Sequence, residues 1–189
     1  MTFVTPDIKG FLDPNEAALL YRLASEVPAG GTIVEIGSYQ GKSTVCLGLG
    51  AKISGARVYA IDPHEDVQES ENTHYGAENY AALLKNLIEF NVADVVRVVA
   101  RSGTDTYQGW NEWIDLLFID ACHEYQAVRG DFDLWNHYVR DGLIAMHDTT
   151  GNHPGVTQAL NEILAAGEWE IIERADATAV LRRVNVRNP

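Results

Sequence analysis

The sequence predicts a doubly wound α/β fold: a mostly parallel, seven-stranded sheet with helices on both faces and an antiparallel C-terminal strand pair. Short, continuously apolar segments rich in Val and Ile alternate with segments of helical periodicity, which is typical of β-α units. Strands that are apolar on both faces belong to parallel sheets covered by helices. The last two strand-like segments follow each other directly, which favours antiparallel pairing. The length of 189 residues suits one domain.

The elements are predicted in order from capping residues, breakers and periodicity. The first helix is capped by Asp13, carries Pro14 in its first turn, and ends near Glu26. Parallel strands are predicted at 32–37, 57–62, 95–101, 115–120 and 142–147, and the antiparallel pair at 168–174 and 178–184. Further helices are predicted at 42–53, 75–90, 102–110, 124–139 and 155–166. In the helix at 124–139, a core-facing stripe contains Val128, Phe132, Trp135 and Val139. This alternation predicts a Rossmann-like sheet.

The charge of the chain excludes several partners. It has 14 basic and 27 acidic residues, a formal net charge of −13. Phosphate backbones and anionic lipids require clustered Lys and Arg, so we expect no nucleic acid and no membrane as partner. No signal peptide is visible, and Cys46 and Cys122 are too few for a disulfide framework, so we expect a reducing, cytoplasmic setting. The oligomeric state is left open, including a homo-oligomer.

A glycine-bearing turn follows the first strand, where residues 34–44 read VEIGSYQGKST. Such a turn lets a ligand approach the backbone and the next helix N-terminus. A phosphate-binding P-loop would need glycine at Ile36, and the dinucleotide pattern would need glycine at Tyr39, so neither fits. Asp62 ends the second strand, where a carboxylate can accept hydrogen bonds from both hydroxyls of a ribose. The spacing therefore predicts a nucleoside ligand.

Two carboxylates and two imidazoles follow neighbouring strands. Asp120 ends one strand and His123 comes three residues later. One helical turn between them would bring both side chains to the same pocket. His147 and Asp148 end the next strand. Since buried carboxylates repel each other without a proton or cation between them, these residues predict a divalent metal site.

Residues 34–44 resemble the first motif of class I S-adenosylmethionine-dependent methyltransferases. Residues 118–133 and 142–149 resemble a metal-dependent methyltransferase family that includes macrolide-sugar O-methyltransferases and cephalosporin-hydroxylase-like proteins. The resemblance covers about residues 30–150. It implies one methyltransferase domain over 1–189, in which the N-terminal helical segment 1–29 can act as a lid. The polar, acidic loop at 63–76 is a second candidate lid or binding loop.

The resemblance also implies roles for individual residues. Asp120, His147 and Asp148 would bind the metal, and His123 would be the general base. The family often has Glu where this chain has His147, and a nitrogen ligand shifts preference from Mg²⁺ toward Mn²⁺ or Fe²⁺. S-adenosylmethionine would be bound by Glu35, Gly37, Ser38, Tyr39, Gly41, Ser43, Asp62, Ser102 and Asp120.

The expected activity is therefore metal-dependent O-methylation of a small molecule, a sugar or phenol with neighbouring hydroxyls. Two alternatives are a non-catalytic nucleoside-binding module and a nicotinamide-dependent oxidoreductase. Asp120, His123 and Asp148 together argue against a binding module, and the missing dinucleotide pattern argues against an oxidoreductase.

Overall fold

The computed structural model describes residues 3–65, 67–70 and 73–184. Its strands are β1 (Thr32–Ile36), β2 (Arg57–Ile61), β3 (Val67–Ser70), β4 (Thr73–Tyr75), β5 (Val96–Val99), β6 (Leu116–Ile119), β7 (Leu143–Met146), β8 (Trp169–Ala175) and β9 (Thr178–Arg183). Its helices are α1 (Pro14–Glu26), α2 (Lys42–Ser54), α3 (Ala77–Glu89), α4 (Gly103–Tyr107), α5 (Tyr125–Trp135) and α6 (Pro154–Ala165).

The predicted sheet is confirmed. Seven strands lie in the order β5-β2-β1-β6-β7-β9-β8. The first five of these strands run parallel, whereas β9 is antiparallel to both β7 and β8. The chain builds outward from β1 through β2 to β5, and then resumes on the other side of β1 with β6 and β7. The strand order therefore switches between β1 and β6, and ligands bind beyond the carboxyl ends of strands at such a switch.

Helices cover both faces of the sheet, as predicted. All residues of β1 and β6 are buried. One apolar core joins this sheet to α1, α2 and α3, and a second joins it to α5 and α6. The stripe predicted on α5 and just beyond it belongs to the second core, where Val128, Phe132, Trp135 and Val139 are all buried.

Several predicted helices are shorter in the structure. The helix predicted over 124–139 ends at Trp135 and continues as a 3-10 turn, Asn136–Tyr138. At this point the Asn136 side chain donates to the carbonyl oxygens of Phe132 and Asp133. The helix predicted over 102–110 covers only Gly103–Tyr107. The predicted loop at 63–76 contains the antiparallel pair β3–β4, while residues 66, 71 and 72 lie outside the described residues.

The first helix is part of the core. Its apolar face, which includes Leu19, Leu20 and Leu23, is buried. It crosses α2 so closely that a Cβ on Gly50 would lie 2.4 Å from the carbonyl oxygen of Tyr21. In this structure α1 is therefore packed against the domain, and the role of residues 1–29 as a lid stays a prediction. None of the helices in the described ranges is long and apolar enough to cross a membrane.

The core of α5 provides a test of packing. Trp135 is fully buried, and its ring contacts those of Tyr107 and Trp110. We expect Trp135→Ala to lower the free energy of unfolding by about 3–5 kcal/mol, because it leaves a cavity. Trp113→Ala is the control, since Trp113 is 56% exposed and should cost about 1 kcal/mol or less through its contact with Arg140. Urea unfolding followed by circular dichroism measures both, and equal losses would contradict the assignment.

Candidate functional site

Asp62 holds the turn between β1 and α2. Its Oδ2 accepts the backbone N–H groups of Ser38 and Tyr39, each at 2.9 Å, and its Oδ1 accepts that of His64, also at 2.9 Å. An ionised carboxylate accepts about four hydrogen bonds, and among the described residues the Oδ1 of Asp62 accepts one. The contact with the hydroxyls of a ribose stays a prediction, and Oδ1 is the oxygen with more acceptor capacity left for it.

The sequence suggested that the glycine turn admits a ligand, but in the structure Gly37 allows close packing of two backbone segments. Its φ is +94°, and a Cβ there would lie 2.1 Å from the carbonyl oxygen of Asp120. The turn after β1 thus packs directly on the backbone that follows β6. A side chain at Gly37 would strike this backbone before it could obstruct a ligand. At the other end of the turn, Gly41 has a φ of +87°, a conformation that favours glycine.

Glu35 lies fully buried in β1, immediately before the turn. The hydroxyl of Thr44, from the first turn of α2, donates to its Oε2 at 2.5 Å, and the neighbouring Ser43 is also buried. Oε1 has no hydrogen-bond partner among the described residues. Burial raises the pKa of Glu35 to about 8. A buried carboxyl oxygen without a partner is a position at which a bound ligand would supply the missing hydrogen bond.

Ser102 lies at the carboxyl end of β5, as predicted, and forms the N-cap of α4. Its hydroxyl accepts the backbone N–H of Asp105 at 3.1 Å and donates to the Asp105 carboxylate at 2.8 Å. The hydroxyl is therefore used within the helix cap. The contact of Ser102 with S-adenosylmethionine stays a prediction.

The parallel pairing of β6 with β7 brings Asp120, His147 and Asp148 together, as the sequence predicted. His147 Nδ1 lies 3.0 Å from Asp120 Oδ1 and 3.2 Å from Asp148 Oδ2. Neither contact has the geometry of a hydrogen bond, so the buried Nδ1 is left without one in the described structure. The three side chains can each offer one ligand atom, and these atoms lie within 4.8 Å of one another.

Glu16 joins this cluster from α1, and sequence reasoning missed it. The side chain is 1% exposed, and its Oε2 lies 3.2 Å from His147 Nε2. The same oxygen accepts the backbone N–H of Asp13, while Oε1 accepts hydrogen bonds from Ala177 N–H and the Thr178 hydroxyl. The capping box formed with Asp13 was visible in the sequence, but a capping box is a local pattern and does not indicate a distant partner.

The carboxylates around His147 determine its charge. Burial acts against ionisation, but Asp120, Asp148 and Glu16 together raise the pKa of His147 to about 12. Burial also raises the pKa of Asp120, against the effect of His147. Although burial opposes it, the neighbouring imidazoles of His123 and His147 hold the pKa of Asp148 well below its usual range. In the absence of a metal, His147 is therefore the cation among these acids.

His123 reaches the same cluster from the loop after β6. Its Nε2 lies 2.9 Å from Asp148 Oδ2, and its ring lies 4.0 Å from that of His153. Residues 120–124 are not helical and α5 begins at Tyr125, so the predicted helical turn between Asp120 and His123 is wrong. Asp148 has a φ of +56°, an uncommon conformation that is often found at functional sites.

Comparison with known proteins identifies a family match and structures that share the fold. Residues 34–149 match a family described as "Methyltransferase domain". An uncharacterized protein, R132 of Acanthamoeba polyphaga mimivirus, is 32% identical over 143 residues, which are 71% of this chain and 59% of R132. The chain thus matches less than two thirds of that relative's length.

Solved structures share the fold. Cofactor-bound Rv0187 from MTB has a TM-score of 0.70 and 22% identity, over 95% of this chain and 83% of its own. The O-methyltransferase from Bacillus cereus in complex with SAH has a TM-score of 0.66 and 22% identity, over 96% of this chain and 84% of its own. These likenesses confirm the class I methyltransferase fold.

The contact between Glu16 and His147 provides a test of the cluster. We expect Glu16→Gln to lower the free energy of unfolding by about 3–5 kcal/mol, because it removes one partner of a buried ion pair. Burial opposes it, but hydrogen bonding to His147 lowers the pKa of Glu16 below its ordinary 4.5, so this stabilisation is lost as the pH falls below that value. The pKa of His147 is raised above its ordinary 6.5, so its contribution declines as the pH rises above that value.

The difference between wild type and variant should therefore be largest between about pH 5 and pH 6.5. Glu26→Gln is the control, because Glu26 lies in the same helix in an exposed ion pair with Arg22 that contributes about 1 kcal/mol or less. Denaturant unfolding with a metal chelator present measures all three proteins. A pH-independent difference would show that Glu16 does not act through His147.

Proposed function

The chain belongs to the methyltransferase-domain family, and from this membership we propose that it transfers a methyl group from S-adenosylmethionine to a hydroxyl oxygen of a small molecule. The observation that carries the proposal is the pairing of His123 with Asp148 at the sheet edge where Gly37 packs on Asp120. A nucleoside-type turn and a candidate proton acceptor thus share one edge. This pairing favours catalysis over a non-catalytic binding module.

The cofactor would be held by the turn and the strand ends around it. The Oε1 of Glu35, which has no partner among the described residues, would exchange a hydrogen bond with a polar group of the ligand, and the Oδ1 of Asp62 would accept one. The backbone of Ser38, Tyr39 and Gly41 would line the approach of the cofactor, together with Ser43, Ser102 and Asp120. The bound cofactor supplies a methyl group that its sulfonium charge activates for transfer.

A divalent metal at Asp120, His147 and Asp148 is part of the proposal, and the described geometry fits one. Neighbouring ligands of an octahedral ion with bonds of about 2.1 Å lie roughly 3.0 Å apart. The distances of 3.0 Å and 3.2 Å from His147 Nδ1 to the two carboxylates are close to this value. When Glu16 keeps the proton on His147 Nε2, the lone pair on Nδ1 faces the oxygens of Asp120 and Asp148. Metal-bound histidines are commonly oriented by a carboxylate in this way.

The donor set of one nitrogen and two oxygens favours Mn²⁺ or Fe²⁺ over Mg²⁺. An ion there would lower the pKa of an acceptor hydroxyl, most effectively in a sugar or phenol with a neighbouring hydroxyl. Such a small molecule is the proposed acceptor. Two vicinal oxygens could approach the ion together, which would orient the reacting one.

His123 is proposed as the general base. The Asp148 carboxylate, 2.9 Å from Nε2, would keep a proton on that nitrogen and orient the ring. The acceptor hydroxyl would then lose its proton to Nδ1. The side chain is 28% exposed, so an acceptor can reach it from the open side of the cluster.

Cofactor binding tests the first part of the proposal. We expect Asp62→Ala to weaken binding of S-adenosylhomocysteine about 10- to 100-fold, because it removes a charged acceptor and loosens the turn. Asp115→Ala is the control, since Asp115 accepts the backbone N–H of Thr32 at the opposite edge of the sheet. Isothermal titration calorimetry measures both affinities. Equal affinity in wild type and Asp62→Ala would rule out the assignment of Asp62.

Metal binding tests the second part. We expect wild-type protein to bind Mn²⁺, and Asp120→Asn to weaken this binding by at least about tenfold, because the substitution removes an anionic ligand. Asp94→Asn, a change at an exposed carboxylate beside Lys52, should bind Mn²⁺ as wild type does. The free Mn²⁺ signal in electron paramagnetic resonance gives the affinities. Unchanged binding in Asp120→Asn would place the ion elsewhere.

Turnover tests the mechanism. We expect His123→Ala to reduce methyl transfer by about 10²–10⁴-fold, the usual effect of removing a general base, while S-adenosylhomocysteine affinity stays unchanged. The assay follows S-adenosylhomocysteine formation with a panel of catechols and of sugars that carry neighbouring hydroxyls. His137→Ala is the control, because His137 is exposed in the 3-10 turn after α5. Full turnover in His123→Ala would exclude the base.

A further inference from the structure

A second set of potential metal ligands lies on the open side of the cluster. His123 and His153 come from the loops after β6 and β7, and Asp148 lies between them. Their side chains are 28%, 36% and 19% exposed, respectively, so ions in solution can reach them. His153 was not among the residues that the sequence singled out for binding.

The backbone brings these two loops together. His153 is the N-cap residue of α6, and Gly155 follows in its first turn. A Cβ on Gly155 would lie 2.4 Å from the carbonyl oxygen of His123 and 2.5 Å from the backbone nitrogen of Tyr125. Only a glycine allows α6 to approach the start of α5 so closely, and this approach places the two imidazole rings 4.0 Å apart.

The distances suit a small transition-metal ion. Asp148 Oδ2 lies 2.9 Å from His123 Nε2 and 3.7 Å from His153 Nε2. Two ligands of a tetrahedral ion with bonds of about 2.0–2.1 Å are separated by roughly 3.3–3.4 Å, a value between these distances. The three ligand atoms lie within 4.8 Å of one another, so small side-chain rotations would complete the set.

The charge of the neighbourhood also favours a cation. Three carboxylates, those of Glu16, Asp120 and Asp148, converge on the single imidazole of His147. Even with a positive charge on His147, the cluster has an excess of negative charge. A divalent ion beside Asp148 would neutralise this excess.

We infer that His123, Asp148 and His153 form a second metal site, which binds Zn²⁺ or a similar ion that prefers imidazole nitrogen. Two nitrogens and one oxygen distinguish it from the more oxygen-rich set of Asp120, His147 and Asp148. A Zn²⁺ ion there occupies His123 Nε2 and Asp148 Oδ2. As a consequence that rests on the proposed function, Zn²⁺ inhibits methyl transfer, because it removes the base and the carboxylate that orients it.

Co²⁺ is the probe for this site, since four-coordinate Co²⁺ absorbs visible light and Zn²⁺ is silent. Full-length protein is stripped with a chelator and titrated with Co²⁺, and Zn²⁺ is then added as a competitor. We expect an absorption band that Zn²⁺ abolishes in wild type, in Asp120→Asn and in the exposed control His137→Ala. We expect His153→Ala and His153→Gln to weaken Co²⁺ binding at least tenfold.

Each result of the Co²⁺ titration either supports or overturns the second metal site. If both His153 variants give the same Co²⁺ absorption band as wild type, the second metal site is overturned. The absence of any band in wild type would also overturn it. Loss of the band in Asp120→Asn alone would assign the ion to the inner set and would also overturn it. A wild-type protein that binds Co²⁺ as expected but transfers no methyl group would keep this site and refute the proposed function.

Discussion

The pairing of His147 with three carboxylates is the interaction on which the arrangement of the site depends. Glu16 comes from α1, Asp120 follows β6 and Asp148 follows β7, so one imidazole joins the N-terminal helix to the sheet edge. Buried charges are costly unless each has a partner. Glu16 meets this condition through further hydrogen bonds from Asp13, Ala177 and Thr178. The first helix is therefore held in place by polar as well as apolar contacts.

The sheet topology then couples two functions at one position. Asp120 presents its side chain to His147, while its carbonyl oxygen lies against Gly37 in the turn after β1. The turn that would bind the cofactor and the cluster that would bind a metal thus share a residue. A displacement of the loop after β6 would change both at once, because closely packed backbones do not move independently.

Asp62 has a structural role in addition to the binding role that we propose for it. Three backbone N–H groups occupy most of its acceptor positions, which holds the turn in a conformation with positive φ at Tyr39. A ligand hydroxyl would approach Oδ1, which accepts one hydrogen bond from the described residues. A turn held in this way before binding loses little conformational entropy when the ligand arrives.

The sequence by itself determined the sheet and the convergence of Asp120, His147 and Asp148. Apolar runs with flanking breakers predict buried parallel strands, and the carboxyl ends of neighbouring parallel strands necessarily meet at one edge. These are local or topological consequences, so they follow from the order of residues alone. The same reasoning predicted the antiparallel pair β8–β9 and the buried stripe on α5.

The tertiary structure decided which side chains become partners. Glu16 and His147 are 131 residues apart, and they meet because α1 packs on α2 and hydrogen-bonds to the turn between β8 and β9. The role of Gly37 depends on how closely the backbone after β6 approaches it, and the meeting of His153 with His123 depends on Gly155. Periodicity and spacing describe one segment at a time. Contacts between distant segments are determined by the close packing of the whole core, which no single segment encodes.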